Sequence, residues 1–291
     1  MLEVKKEELK KILPANGPSI DEVKRYLDKY NDEYIVIKCG GSVLVDQNLF
    51  DIFIKDITTL SKLGFIPIIV HGGGKRISNK LNELGIQSEF IKGLRVTGRK
   101  IIEVVEQVLI EFNQEIVEAL KNQSCNSETI NSKDNNIMSV VKENDELGFV
   151  GSPTKIDKTI IDKIVNDKKV PVIAPLGLDE NNQTYNINAD TAAGSIAKKI
   201  EARRLIIMSD VEGVLDNNQK LISEINSSSI KDLIENETIT GGMIPKINNC
   251  LDVASNGVKG VVIIDGRKNH SILFELLSDK GSGTLIRQWK I

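Results

Sequence analysis

The chain predicts a doubly wound α/β/α sandwich with a mainly parallel central sheet. Three observations carry that expectation. Six apolar runs, at 34–38, 66–71, 170–174, 205–208, 261–264 and 284–287, read as buried strands. Most are unbroken Val/Ile/Leu runs rather than alternating ones, the pattern of strands covered on both faces. Segments of helical period fall between them, and such alternation marks α/β proteins.

The longest helical pattern is 101–120. Its apolar residues are Ile101, Val104, Val105, Val108, Leu109, Phe112, Ile116 and Leu120, one face over about five turns. Residues 190–199 and 245–254 also read as helices, with Pro245 suited to a first turn. Before the first strand, the first 30 residues are charge-rich and broken at Pro14 and Gly17-Pro18. Either Ser19 or Asp21 caps a helix there that runs to about Tyr30. This segment is an appendage to the core, either a frayed tail or a docked helix. Residues 122–145 are polar, with a short strand candidate near 137–141, and are expected to form a surface hairpin region. No fixed-period repeat is present.

Composition narrows the function classes. The 291 residues carry 38 Lys+Arg against 41 Asp+Glu, a net charge of 38 − 41 = −3. Without a basic excess, a nucleic-acid binder driven by bulk charge is disfavoured. An aromatic content of 4% argues against stacking platforms for single strands. At 40% hydrophobic and 27% charged, the chain has enough apolar residues for a large core. The opening M-L-E-V-K-K-E-E-L-K-K has no apolar core of a secretory signal, and no apolar run is long enough to span a bilayer. Cys39, Cys125 and Cys250 lie far apart with no C-x-x-C spacing, so reduced thiols in a cytoplasmic protein are expected. Two histidines, His71 and His270, are a poor start for a metal site, and none is expected.

Two strands end in glycine clusters, each expected to open onto a helix: I-V-I-K-C-G-G-S and I-I-V-H-G-G-G-K. Glycine lets a ligand approach the backbone N–H groups closely, and helix starts add oriented donors. Two such loops at the carboxyl edge of one sheet make an anion cradle in the usual crevice. A Walker A loop is excluded because Gly74-Lys75 is followed by Arg76, and a dinucleotide fingerprint fails at Ile77. Phosphate binding survives both exclusions.

Charged residues stand beside these loops. Lys38 ends the first strand, either snorkelling to solvent or placed over phosphoryl oxygens. Arg95, in K-G-L-R-V-T-G, is either a surface residue or a bidentate clamp on a carboxylate. In Y-N-I-N-A-D-T-A-A-G, Asn188 or Asp190 caps the following helix, or Asp190 holds lysines while Asn186 donates to a ligand. G-G-M-I-P-K sets Lys246 at the opening of a helix, aimed at the crevice.

The set resembles the amino-acid kinase family, and within it the branch that phosphorylates N-acetylglutamate. The motifs that carry the resemblance are I-K-C-G-G-S, V-H-G-G-G, F-I-K-G-L-R-V-T, V-P-V-I-A-P-L-G, Y-N-I-N-A-D, S-D-V-E-G-V-L-D, T-G-G-M-I-P-K and I-I-D-G-R, spanning about 34–286 in order. The resemblance implies ATP-dependent phosphorylation of the side-chain carboxylate of N-acetyl-L-glutamate in arginine biosynthesis. By it, Lys38 and Lys246 stabilise the transferring phosphoryl group and Asp190 orients both. Gly40, Gly41, Gly73 and Gly74 supply N–H groups to phosphates and substrate, and Arg95 and Asn186 bind the substrate carboxylates. Ser209, Asp210, Gly213 and Leu215 line the nucleotide pocket. Mg²⁺ rides mainly on the ATP oxygens, and no protein ligand is named for it.

The resemblance also implies two lobes, 34–185 for acetylglutamate and dimerisation and 186–291 for nucleotide, with 1–33 as an oligomerising extension. The carboxyl end, H-S-I-L-F-E-L-L-S-D-K-G-S-G-T-L, resembles the effector segment of arginine-inhibited members, which are hexameric rings. Tyr26, His270, Glu275 and Gly281 are the arginine residues by that similarity. The sequence departs from the family pattern at N-S-K-D near Lys133, at Gly98, at Val262 and in its longer amino terminus. The competing readings are another carboxylate or carbamate kinase and a silent arginine-sensing scaffold.

Overall fold

The computed structural model describes residues 6–288. The outermost residues of the predicted extension and carboxyl lobe, 1–5 and 289–291, lie outside them. Two helices come first, α1 (Lys6–Ile12) and α2 (Ile20–Tyr30). Ser19 caps α2 in a full capping box: its hydroxyl accepts from Glu22 N at 3.3 Å, and its own N–H donates to Glu22 Oε2 at 3.2 Å. Leu9, Val23, Leu27 and Tyr30 are buried, so the appendage is a docked pair of helices and not a frayed tail.

The amino half continues with β1 (Tyr34–Cys39), a 3-10 turn (Gly41–Leu44), α3 (Gln47–Lys62), β2 (Ile66–His71) and α4 (Gly74–Glu83). A two-strand hairpin, β3 (Phe90–Ile91) and β4 (Leu94–Arg95), precedes the long α5 (Arg99–Asn122). Then come β5 (Ser127–Ile130), β6 (Met138–Lys142), β7 (Gly151–Ile156), α6 (Lys158–Asn166), β8 (Val170–Ile173), β9 (Leu176–Leu178) and β10 (Thr184–Asn186). The carboxyl half holds α7 (Ala189–Lys199), β11 (Arg204–Ser209), β12 (Glu224–Asn226), α8 (Ser229–Glu235) and α9 (Met243–Ser255). It ends with β13 (Val261–Asp265), α10 (Ser271–Leu277) and β14 (Gly283–Arg287).

Eight strands form the central sheet in the order β12-β14-β13-β11-β1-β2-β8-β5. All neighbours are parallel except β13 and β14. Both faces are covered, which is why the strands read as unbroken apolar runs. Val36, Ile68, Leu205, Ile207 and Ile263 pack on the face of α7 and α9. Their alternates Ile35, Ile37, Ile69, Ile206 and Ile264 pack with α2, α3 and α10. Side chains two apart on a strand share a face, so Lys38 follows Val36 toward α7 and α9.

Two expectations need correction. The first glycine cluster opens onto a 3-10 turn, and the α-helix starts only after Asp46, whose carboxylate caps Leu49 N–H at 3.0 Å. Residues 122–145 are a surface hairpin only in part: the 137–141 candidate is β6, paired antiparallel with β7. β5 is an edge strand of the main sheet, β6 belongs to a second sheet ordered β10-β9-β6-β7, and Ile130, Asn131, Ile137 and Met138 are buried. The segment is polar largely because the β5–β6 connection needs loop chemistry, with Asn131 Oδ1 accepting from the N–H groups of Lys133 and Asp134 at 2.9 Å each.

Candidate active site

The chain order in the sheet reverses between β11 and β1, which makes a crevice beyond the carboxyl ends of those strands. The glycine loops after β1 and β2 meet there. A cavity of about 690 Å³ is lined by Lys38, Gly40, Gly41, Gly73, Arg95 and Asn186, among others. A second, of about 770 Å³, holds Asp190, Lys246 and Asn249 and shares Gly93, Leu94 and Asn188 with the first.

At their boundary two lysines share one carboxylate. Lys38 Nζ lies 3.0 Å from Asp190 Oδ1, and Lys246 Nζ donates to Asp190 Oδ2 at 2.8 Å. Three separate elements bring them there: β1 aims Lys38 inward, the first turn of α7 carries Asp190, and the first turn of α9 presents Lys246. Asn188 caps α7, accepting from Asp190 N–H at 3.0 Å and Thr191 N–H at 3.1 Å. That frees the Asp190 carboxylate for the lysines. Burial alone raises its pKa, but the two ammonium groups outweigh burial and hold it at about 2. Two cations on one anion leave the crevice net positive, which suits a site where negative charge gathers.

The glycines have steric reasons. A Cβ on Gly40 would meet the Lys38 side chain, and Gly41 has φ +67° with the Asp210 carboxylate directly over it. Asp210 Oδ1 accepts from Ser42 N–H at 2.7 Å. Burial raises the Asp210 pKa, but the Ser42 N–H and Lys75 more than offset this and hold it low.

Arg95 is buried in the cavity wall. It donates to Ser88 Oγ, to Gly74 O at 3.0 Å and to Ser78 Oγ at 2.9 Å, and its guanidinium stacks 4.7 Å from the Phe90 ring. It therefore ties the β3–β4 hairpin to the second glycine loop. Asn186, on β10, faces the cavity with its amide nitrogen 3.5 Å from Thr97 Oγ1. Gly213 and Leu215 lie apart from these residues, in a third cavity of about 360 Å³ with Asn217, Thr238 and Thr240. Ser209 ends β11, and its carbonyl accepts from Gly266 N–H at 2.8 Å. Among the described residues, no three His, Cys, Asp or Glu side chains gather as a metal site.

The residues named for arginine sit on the far side of the sheet, around α10. Tyr26 OH donates to Asp279 Oδ1 at 3.0 Å, beside the Arg25–Asp279 pair at 2.6 Å. Glu275 Oε2 accepts from Ser282 N–H at 2.8 Å and lies against Gly281, whose φ is +64°. His270 stands at the other end of α10, its Nδ1 2.6 Å from Asp56 Oδ1 on α3. Tyr26, Glu275 and Gly281 thus border one turn, while the His270 ring is engaged away from it.

Sequence reading passed over several supports. His71 is buried edge-on to Phe112, its Nδ1 2.9 Å from Gly72 O and its Nε2 3.1 Å from Asn113 Nδ2. Burial lowers its pKa to about 4, so it is neutral at ordinary pH and braces the second loop. The V-H-G-G-G motif held that signal. Asp56 and Asp279 gave none, because their partners are more than 200 residues away in sequence.

The profile described as "Amino acid kinase family" matches residues 33–265. An acetylglutamate kinase of Pelagibacter ubique is 67% identical over 288 residues, covering 99% of this chain and all of that protein. One from Campylobacter fetus is 44% identical, covering 90% and 94%. Among solved structures, an N-acetylglutamate synthase from Neisseria gonorrhoeae superposes with a TM-score of 0.84 at 21% identity, over 94% of this chain and 65% of that one. That likeness is one of fold alone. No helix among the described residues is long and apolar enough to cross a membrane. The chain belongs to the amino acid kinase family.

Proposed function

We propose that the chain transfers a phosphoryl group from MgATP to the side-chain carboxylate of N-acetyl-L-glutamate, giving the acyl phosphate, in the cytoplasm. The pairing of Lys38 and Lys246 on Asp190 between two glycine loops carries this reading. The full-length identity to a protein named acetylglutamate kinase supplies the acceptor.

The chemistry needs no general base. The attacking carboxylate has a solution pKa of about 4.3 and is already ionised at neutral pH. The difficulty is bringing two anions together and spreading charge during an in-line transfer. Lys38 and Lys246 neutralise the moving phosphoryl group from fixed positions, and Asp190 keeps them apart and aimed. The N–H groups of the glycine loops receive phosphate oxygens. Arg95 and Asn186 hold the acceptor's carboxylates from the wall of the first cavity. Ser209, Asp210, Gly213 and Leu215 border the nucleotide. Mg²⁺ accompanies the ATP and offsets charge on its phosphates.

The sheet divides between β11 and β1 into strands from after residue 186 and strands from before 185. That division supports a nucleotide lobe, 186–291, and an acetylglutamate lobe, 34–185. The extension 1–33 is the oligomerising element, building a hexamer from dimers. The turn bordered by Tyr26, Glu275 and Gly281, with His270 at the base of α10, is the seat of feedback inhibition by L-arginine.

Acyl-phosphate trapping with MgATP and N-acetylglutamate, glutamate, aspartate or carbamate tests the reaction. Product with N-acetylglutamate alone is expected, and a preference for another acceptor overturns the assignment. Repeating the assay across millimolar arginine tests the effector, and unchanged activity removes it. Sedimentation of the full chain beside one lacking residues 1–33 tests the hexamer.

A further inference from the structure

Lys75 is the second residue of α4, at the positive end of a helix, where a cation is disfavoured. Its neighbour Arg76 is answered within the fold. It donates to Leu44 O at 2.7 Å and Glu115 Oε1 at 2.9 Å, and its guanidinium lies 3.9 Å from the Phe112 ring. Lys75 instead reaches out across the first glycine loop. Its Nζ donates to Ser42 Oγ at 3.1 Å and to Asp210 Oδ2 at 3.0 Å.

Asp210 takes an unusual place in this arrangement. Its other oxygen accepts from Ser42 N–H at 2.7 Å, and the carboxylate sits over Gly41, which has no side chain to exclude it. One of the chain's own anions thus lies on an N–H cradle suited to phosphate. Lys75 lines the same cavity as Lys38, Gly40 and Gly41. The Lys75 and Asp210 side chains are 47% and 36% exposed, so the pair is only weakly held. A polyphosphate carries several charges where the carboxylate carries one, and competes for both the ammonium and the N–H.

We propose that Lys75 is a third cationic residue for the nucleotide's phosphates, one that rests on Asp210 in the free protein and moves to phosphate oxygens when MgATP enters. The exchange swaps hydrogen bonds and breaks no covalent bond. Asp210 keeps the lysine extended over the cradle until then. The inference rests on the phosphotransfer reading of the same crevice.

Calorimetry of the full chain with Mg²⁺ and adenylyl imidodiphosphate, a non-hydrolysable analogue, tests it without turnover. Lys75→Met is expected to weaken binding about tenfold, as loss of one charge-assisted contact does, and to flatten its salt dependence. Lys75→Arg restores most of the affinity. In steady state the KM for ATP rises with Lys75→Met and the KM for the acceptor does not. Wild-type affinity in Lys75→Met overturns the proposal. So does equal weakening of the analogue and of adenosine, which has no phosphates, in Lys75→Met, which makes the pair a structural clasp. If wild type makes no acyl phosphate, the phosphotransfer reading itself falls, an outcome distinct from either.

Discussion

Asp190 in the crevice and Asp56 beneath α10 are both withdrawn from solvent, and their surroundings drive them in opposite directions. Two ammonium groups hold Asp190 down at about 2. Asp56 has one imidazole partner, and burial pushes it up to about 6 despite that partner. The crevice sets two lysines on one carboxylate, whereas the α3–α10 junction sets one imidazole against one carboxylate. An excess of buried charge is costly to a fold by itself, which makes the crevice the place proposed for an outside anion. The one-to-one pair braces α10 against α3.

The sharpest way to break this contrast is Lys246→Ala. Removing a cation that acts in the transition state costs about 10²–10³ in kcat. The fold should survive, because Asp190 keeps Lys38. Single-turnover phosphoryl transfer beside a thermal melt checks both, and intact transfer would remove Lys246 from the mechanism.

Asp190→Asn tests the same cluster through stability. A folded-state pKa below the unfolded value near 3.8 adds stability above that pH and loses it as the pH falls through about 2. For Asp190 the contribution is about 2 kcal/mol at neutral pH. Denaturant titration should show Asp190→Asn less stable by about that amount at pH 7. The gap should close as the pH drops from 4 toward 2. A gap independent of pH would mean that the lysines do not rely on the charge of Asp190.

The junction should show the reverse slope. The pKa of Asp56 is raised, so its contribution to stability is full below the unfolded value and is lost as the pH rises through about 6. His270 offsets part of that loss. His270→Ala should therefore cost about 1–2 kcal/mol at neutral pH, by leaving Asp56 buried and unpartnered. The deficit should shrink toward pH 4, where Asp56 is protonated in either protein. Urea unfolding at pH 4, 6 and 8 checks it, and a deficit that grows toward acid contradicts the pairing.

The two regions also differ in how far the sequence disclosed them. The crevice was legible because each part sits beside a local signal: a lysine ending an apolar strand, a glycine pair, a proline in a first helical turn. The unbroken runs of β1, β2, β11 and β13 revealed the parallel sheet for the same reason. β5, α1 and the second sheet beyond its 137–141 strand were not legible. Their residues are polar or mixed, and only pairing across the fold makes them regular. Lys75 looked like a failed Walker lysine, since its contacts with Ser42 and Asp210 depend on β11 lying beside β1. The Asp56–His270 pair spans 214 positions and leaves no local trace.

The smallest effect belongs to the outer edge of the appendage. Arg25 pairs with Asp279 at 2.6 Å, but the two side chains are 54% and 58% exposed. Water screens such a pair, and holding two long side chains in one geometry costs entropy. The grip of α2 on the body comes instead from Val23, Leu27 and Tyr30, all buried, so the helix should stay docked without the pair. Arg25→Ala should lower stability by less than about 1 kcal/mol, and by less still in high salt. Denaturant midpoints at low and high salt measure this. A loss as large as that of His270→Ala, insensitive to salt, would show that charge and not apolar burial fastens the appendage.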